Sequence, residues 1–128
     1  MRILPKRGTQ LGARKNNDPY ASSFYEASLN CNFTDKQLQK KFARHAKDFE
    51  ITGNYNVANR ELFRRKLIEH MKATHACIGT YRRQEVYHYY NPDTKINVMV
   101  NRTNDEFISG WLLGPTQVKH MELDGNIA

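Results

Sequence analysis

Between Thr34 and Leu112 the spacing of apolar side chains changes once, and the change divides the chain. Leu38, Phe42, Ala46 and Phe49 recur three or four residues apart, which predicts a helix with Thr34 or Asp35 as its N-cap. Gly53-Asn54 breaks it. A second helix is predicted from about Asn56 to Lys72, with Leu62, Phe63, Leu67, Ile68 and Met71 as its apolar stripe. From His75 the period drops to two. Segments 76–82, 85–90, 95–101 and 106–112 read as strands. Asn91-Pro92-Asp93-Thr94 and Arg102-Thr103-Asn104-Asp105 supply turn chemistry between them. In the second strand Val86, His88 and Tyr90 share one face, and Tyr87 and Tyr89 the other. Gly114-Pro115 ends the fourth, and Val118–Leu123 reads as a further edge strand. This order predicts an α+β domain, with N-terminal helices packed on one face of an antiparallel four- to five-stranded sheet. The other face is then either wet or a binding surface.

Residues 1–18 are polar, basic and interrupted by Gly and Pro, and read as a flexible arm. Residues 19–30 read as a short helix or an extended strap. The expected organisation is therefore a basic linker over 1–34 and one folded domain over 35–128.

Charge sharpens this picture. Twenty Lys and Arg against 13 Asp and Glu give a net charge of +7, and the isoelectric point is near 9.5. A small domain this basic points to a polyanionic partner: nucleic acid, an anionic membrane or an acidic protein. The excess is concentrated before Arg83, which assigns the positive field to the first two thirds of the chain. Two cysteines, Cys31 and Cys77, exclude a disulfide framework but leave one bridge open. No apolar run approaches the length of a membrane span or a signal peptide.

The candidate chemistry centres on KQLQKKFARHAKDF, residues 36–49. His45 stands there among cations, and the residues alone leave two readings open. It is either the edge of a solvated basic helix, or a proton-transfer group set against a phosphate. Lys41 lies one turn earlier on the same face, placed to stabilise a phosphorane, and Lys40, Arg44 and Lys47 are placed for flanking phosphates. Arg64-Arg65-Lys66 reads as solvent-facing. Tyr81-Arg82-Arg83, followed by Tyr87, Tyr89 and Tyr90, interleaves aromatics with arginines in a way that suits single-stranded RNA. The rival reading is ordinary strand tyrosines. Ser109 and Trp111 share a strand face, as core or as the wall of a nucleotide site. No Gly-x-Ser-x-Gly elbow is present. His70, His75 and Cys77 match no zinc spacing, and no carboxylate pair suits a two-metal nuclease, so neither metal nor cofactor is expected. A metal-free nuclease favours RNA, which carries its own 2′-hydroxyl nucleophile.

Three segments in register, LQKKFARHAKDFEI (38–51), IGTYRRQEVYHYYNPDT (78–94) and FISGWLLGP (107–115), together resemble the C-terminal nuclease domains of the colicin D family. The resemblance implies a small microbial-ribonuclease-like toxin fold. It implies a metal-independent tRNase that cuts the anticodon loop of arginine tRNAs and leaves 2′,3′-cyclic phosphate and 5′-hydroxyl ends. It implies an acidic immunity protein over the cleft, with the domain a monomer apart from that complex. Delivery would be as part of a larger bacteriocin or contact-dependent inhibition protein, secreted or displayed on the cell surface and acting in the target-cell cytoplasm. His45, Ser109 and Trp111 match the family's catalytic histidine, serine and tryptophan. The chain departs from the pattern before His45, where Phe42-Ala43-Arg44 has one residue more than the family's spacing and Arg44 replaces the nearer lysine. Either Lys40 or Lys41 replaces the farther one. The expected catalytic set is thus His45, Lys41, Arg44, Ser109 and Trp111, with Lys40, Lys47, Arg82 and Arg83 holding RNA. Two rivals stay open: a non-catalytic RNA-binding domain, and a toxin that cuts ribosomal RNA or DNA.

Overall fold

The computed structural model describes the backbone of Arg2–Ile3 and the whole of residues 31–128. In chain order the elements are β1 (Arg2–Ile3), α1 (Asp35–His45) running into a 3-10 turn (Ala46–Phe49), α2 (Val57–Ala73), β2 (Ala76–Tyr81), β3 (Gln84–Tyr90), β4 (Ile96–Asn101), β5 (Phe107–Leu112), α3 (Pro115–Leu123) and β6 (Asn126–Ile127).

Local chemistry sets the helix starts. The Thr34 hydroxyl accepts from the Gln37 amide, and the Asn56 side chain accepts from the Asn59 amide, so each satisfies a donor left free in the first turn. The sheet runs β1-β2-β3-β4-β5, and β6 pairs with β2 in parallel. β1 and β6 share one edge of β2, against Cys77–Ile78 and Thr80–Tyr81 respectively. Arg2–Ile3 is therefore a strand within the segment expected to be an arm. Residues 19–30 lie outside the described residues. Packing begins before residue 35: Cys31 is in the core, and the Asn32 backbone bonds to Asp105 and Phe107.

The helices α1 and α2 cover one face of the sheet, as expected. Leu38, Phe42, Phe49, Phe63, Leu67 and Met71 meet Tyr89, Val98, Val100 and Phe107 there. The other face carries a second core of Val86, Tyr90, Met99, Leu113, Met121 and Ile127. It is thus largely covered, and α3 supplies part of the cover. This corrects the edge strand expected at Val118–Leu123. Pro115 sits in the first turn, and the Gln117 side chain accepts from the Gly114 amide at 3.1 Å, which starts a helix. Val118 and Met121 then fall one turn apart, both toward the sheet. The alternation of so short a segment does not distinguish the two forms; the need to cover apolar sheet surface does.

His88 ties this second layer together. It is fully buried, and its Nε2 meets the carbonyls of Gly125 at 2.8 Å and Thr80 at 3.3 Å. Nε2 must therefore carry the proton, and neutral Nδ1 accepts from Asn97 Nδ2 at 3.0 Å. The β2–β6 crossing is close at Gly79, where an added Cβ would lie 2.1 Å from the Gly125 carbonyl oxygen. The sheet curls across this face. Tyr81 of β2 and Trp111 of β5 stand three strands apart, yet their ring centroids are 5.7 Å from one another.

Candidate active site and nucleic-acid interface

The curl matters because it brings the two ends of the sheet to the C-terminal half of α1. His45 is the last residue of α1, at φ −128° and ψ 0°, where the α-helix tightens into the 3-10 turn. Its ring stacks on Trp111 with centroids 5.5 Å apart and planes 25° apart. The indole is held from behind: Nε1 donates to Gln117 Oε1 at 3.0 Å, the same oxygen that starts α3. Tyr81 packs on the indole, and the Arg82 guanidinium lies 5.1 Å from the Tyr81 ring centroid. His45, Trp111, Tyr81 and Arg82 therefore form a continuous row from α1 to the β2–β3 hairpin.

The cations close round this row. Burial lowers the pKa of Lys41, and the neighbouring charges of Lys40, Arg44 and Arg82 lower it further. Arg82 of the hairpin and Lys41 of the helix thus feel one another. His45 is also pushed below the ordinary imidazole value, first by burial. Asp48 opposes that shift, while Lys41, Arg44 and Lys47 reinforce it. The result is an imidazole held neutral near neutral pH in a positive field. Such a group can accept a proton beside an anion.

Among the sequence-predicted residues, Lys40, Arg44, Lys47, Arg82 and Arg83 are exposed, and Lys41, His45 and Trp111 are half-buried. Ser109 is fully buried, and its hydroxyl has no hydrogen-bond partner among the described residues. Tyr89 and Tyr90 are core residues, so both are ordinary strand tyrosines. His70 packs against Phe49 and its Nε2 bonds the Tyr89 carbonyl at 2.7 Å. Arg64 lies over Phe33. Among the described residues no three His, Cys, Asp or Glu side chains converge, and no helix is long and apolar enough to cross a membrane. Cys31 and Cys77 are free and buried, and burial raises their pKa values to about 12 and about 11.

Two participants escaped the sequence reading. Asp48 Oδ2 accepts from the Leu112 amide at 3.1 Å, which fastens the 3-10 turn to the free edge of β5. Its signal was its position three residues after His45, on the same side of the helix. Gln117 was legible only as the third residue after a Gly-Pro helix start.

The chain is thus a small basic α+β domain whose candidate site sets a half-buried histidine, stacked on a tryptophan, among cations, the class of site that suits an anion. The particular family follows from comparison with known proteins. The family model for Colicin D matches residues 37–121, and the chain belongs to that family. Colicin-D of Escherichia coli is 41% identical over 88 residues, which is 65% of this chain and 12% of that protein. The chain thus spans a small part of that relative's length. Among solved structures, a ribonuclease from Escherichia coli complexed with its inhibitor protein superimposes with a TM-score of 0.59 at 33% identity, over 70% of this chain and 99% of that one.

Proposed function

We propose that this domain is an endoribonuclease toxin that cleaves tRNA in the anticodon loop, arginine tRNAs by family resemblance, without a metal ion. The observation that carries the reading is the stack of His45 on Trp111, with the charges of Lys41, Arg44 and Lys47 acting on the imidazole. His45, neutral at pH 7, takes the proton of the ribose 2′-hydroxyl. That oxygen attacks the adjacent phosphorus, the P–O5′ bond breaks, and the proton returns from the His45 imidazolium, directly or through water, to the leaving 5′-oxygen, which gives a 2′,3′-cyclic phosphate and a 5′-hydroxyl end. Lys41 and Arg44 stabilise the phosphorane charge. Trp111 walls the cleft. Ser109 reaches a phosphate oxygen only if the groups covering it move, and otherwise acts by positioning Trp111 two residues on. Lys40, Lys47, Arg82 and Arg83 hold the anticodon arm.

Membership of the colicin D family and likeness to a ribonuclease complexed with its inhibitor protein support this reading. They also support an acidic immunity protein as partner, its association slowing as salt rises. The small share of Colicin-D that is matched fits a domain delivered within a larger protein and acting in the target-cell cytoplasm.

The test is incubation with total tRNA in EDTA, followed by sequencing of the cut ends. Discrete anticodon-loop cuts are expected, with His45→Ala slowing them about 10²–10⁴-fold while the fold stays intact. Intact tRNA, at protein levels that kill an unprotected cell expressing the domain, sinks the reading.

A further inference from the structure

On the opposite flank of α1 from His45 lies a cavity of about 440 Å³, bounded by α1 and the loop that follows the 3-10 turn. Gln39, Phe42, Arg44, Lys47, Asn54 and Tyr55 are among its lining residues. On a helix of 3.6 residues per turn, Lys41, His45 and Asp48 share one side, and Gln39, Ala43 and Ala46 fall on nearly the opposite one. Lys40 and Arg44 form the exposed ridge between. The far wall is stiffened: Asn59 Nδ2 donates to the carbonyls of Thr52 and Asn54, and the Tyr55 ring packs edge-on against Phe42 with centroids 5.2 Å apart.

We propose that this cavity is a nucleotide subsite, which receives one base of the RNA a few positions from the scissile phosphate. The inference rests on the ribonuclease reading of the site around His45. Its chemistry fits a nucleotide better than a bare anion. Arg44 and Lys47 stand at the cavity, and neither makes an ion pair among the described residues. The amide side chains of Gln39 and Asn54 offer both donors and acceptors, as a base edge requires. Tyr55 and Phe42 supply aromatic wall. An RNA strand leaving the His45 cleft crosses the cationic ridge of Lys40 and Arg44 and arrives at the cavity mouth.

Ala43 is exposed and lines the cavity, so Ala43→Trp fills it and Ala43→Glu repels a phosphate there, both away from the proton-transfer group. In amide NMR titrations with nucleoside 5′-monophosphates, we expect two separate sets of shifts, one around His45 and Trp111 and one around Gln39, Ala43, Asn54 and Tyr55. Both variants should remove the second set only. In cleavage of an anticodon stem-loop they should raise KM about tenfold, the scale of one lost base contact, and leave kcat unchanged. Shifts confined to His45 and Trp111 overturn the subsite. So does inorganic phosphate reproducing the second set at equal affinity, since no base is then recognised. If the wild-type chain cuts no RNA, the ribonuclease reading fails, while the nucleotide titration still decides the subsite.

Discussion

His45 faces two opposed demands. Burial and three cations disfavour its protonated form, and Asp48 favours it. Because its pKa lies below 6.5, the ring is neutral at pH 7 and suited to take a proton rather than give one. Single-turnover cleavage should therefore rise with pH, through a midpoint below 6.5, and level off before neutrality. Asp48→Asn keeps an oxygen to accept from the Leu112 amide but removes the charge. The midpoint should then move to lower pH with the fold unchanged. A rate that falls from pH 5 to pH 7 in the wild type would assign His45 the acid role instead. The Trp111 indole is anchored by its bond to Gln117, which fixes the ring that His45 stacks on.

At the scale of elements, the β2–β3 hairpin is the unusual piece. Its two-residue loop is Arg82-Arg83, with φ 49° and 70°. Both values lie in the left-handed region, as a type I′ turn requires, and an asparagine followed by a glycine is the pair that adopts it without strain. A residue with a Cβ costs on the order of 1 kcal/mol or more at such a position. Two arginines there make sense if their charges are wanted at the end of the Tyr81–Trp111 row. The double substitution Arg82→Asn with Arg83→Gly should raise unfolding stability by about 1–2 kcal/mol. The same change should lower RNA cleavage at least tenfold. Urea denaturation and cleavage rates check the two halves. Lysine at both positions (Arg82→Lys with Arg83→Lys) should recover part of the activity but none of the stability. A double variant that is no more stable would show that the turn carries no strain.

For the whole molecule, the +7 charge gives a field that gathers polyanions, so RNA affinity should fall steeply as salt rises. Acid stability follows from the interior histidines. His70 and His88 are both pushed below 6.5, chiefly by burial, with backbone carbonyls opposing the shift. The unfolded chain binds protons at these sites near pH 6.5, and the folded chain does not. Their contribution is therefore complete above that pH and lost as pH falls below it. Each adds a slope of up to about 1.4 kcal/mol per pH unit. Urea midpoints measured from pH 7.5 to pH 4.5 should fall with pH, starting below 6.5. A flat profile would mean that His88 is already charged or open to water.

Features within reach of one element are legible in the order of residues alone. Helical spacing placed α1 and α2, Thr34 could be read as a cap, and alternation placed β2 to β5, because these signals come from neighbours three or four residues away, or two. The cations around His45 were legible for the same reason. The remaining features arise from packing between elements. Val118 to Leu123 became a helix because the second face of the sheet had apolar surface to cover. His45 met Trp111, and Lys41 met Arg82, only because the sheet curls and brings β2 and β5 together at the end of α1. Ser109 shares Trp111's strand face but ended in the interior, and no spacing rule separates those two outcomes. Asp48 likewise acts through a contact distant in sequence, its bond to the Leu112 amide. Such contacts are set by packing and desolvation over the whole fold, which a local pattern does not encode.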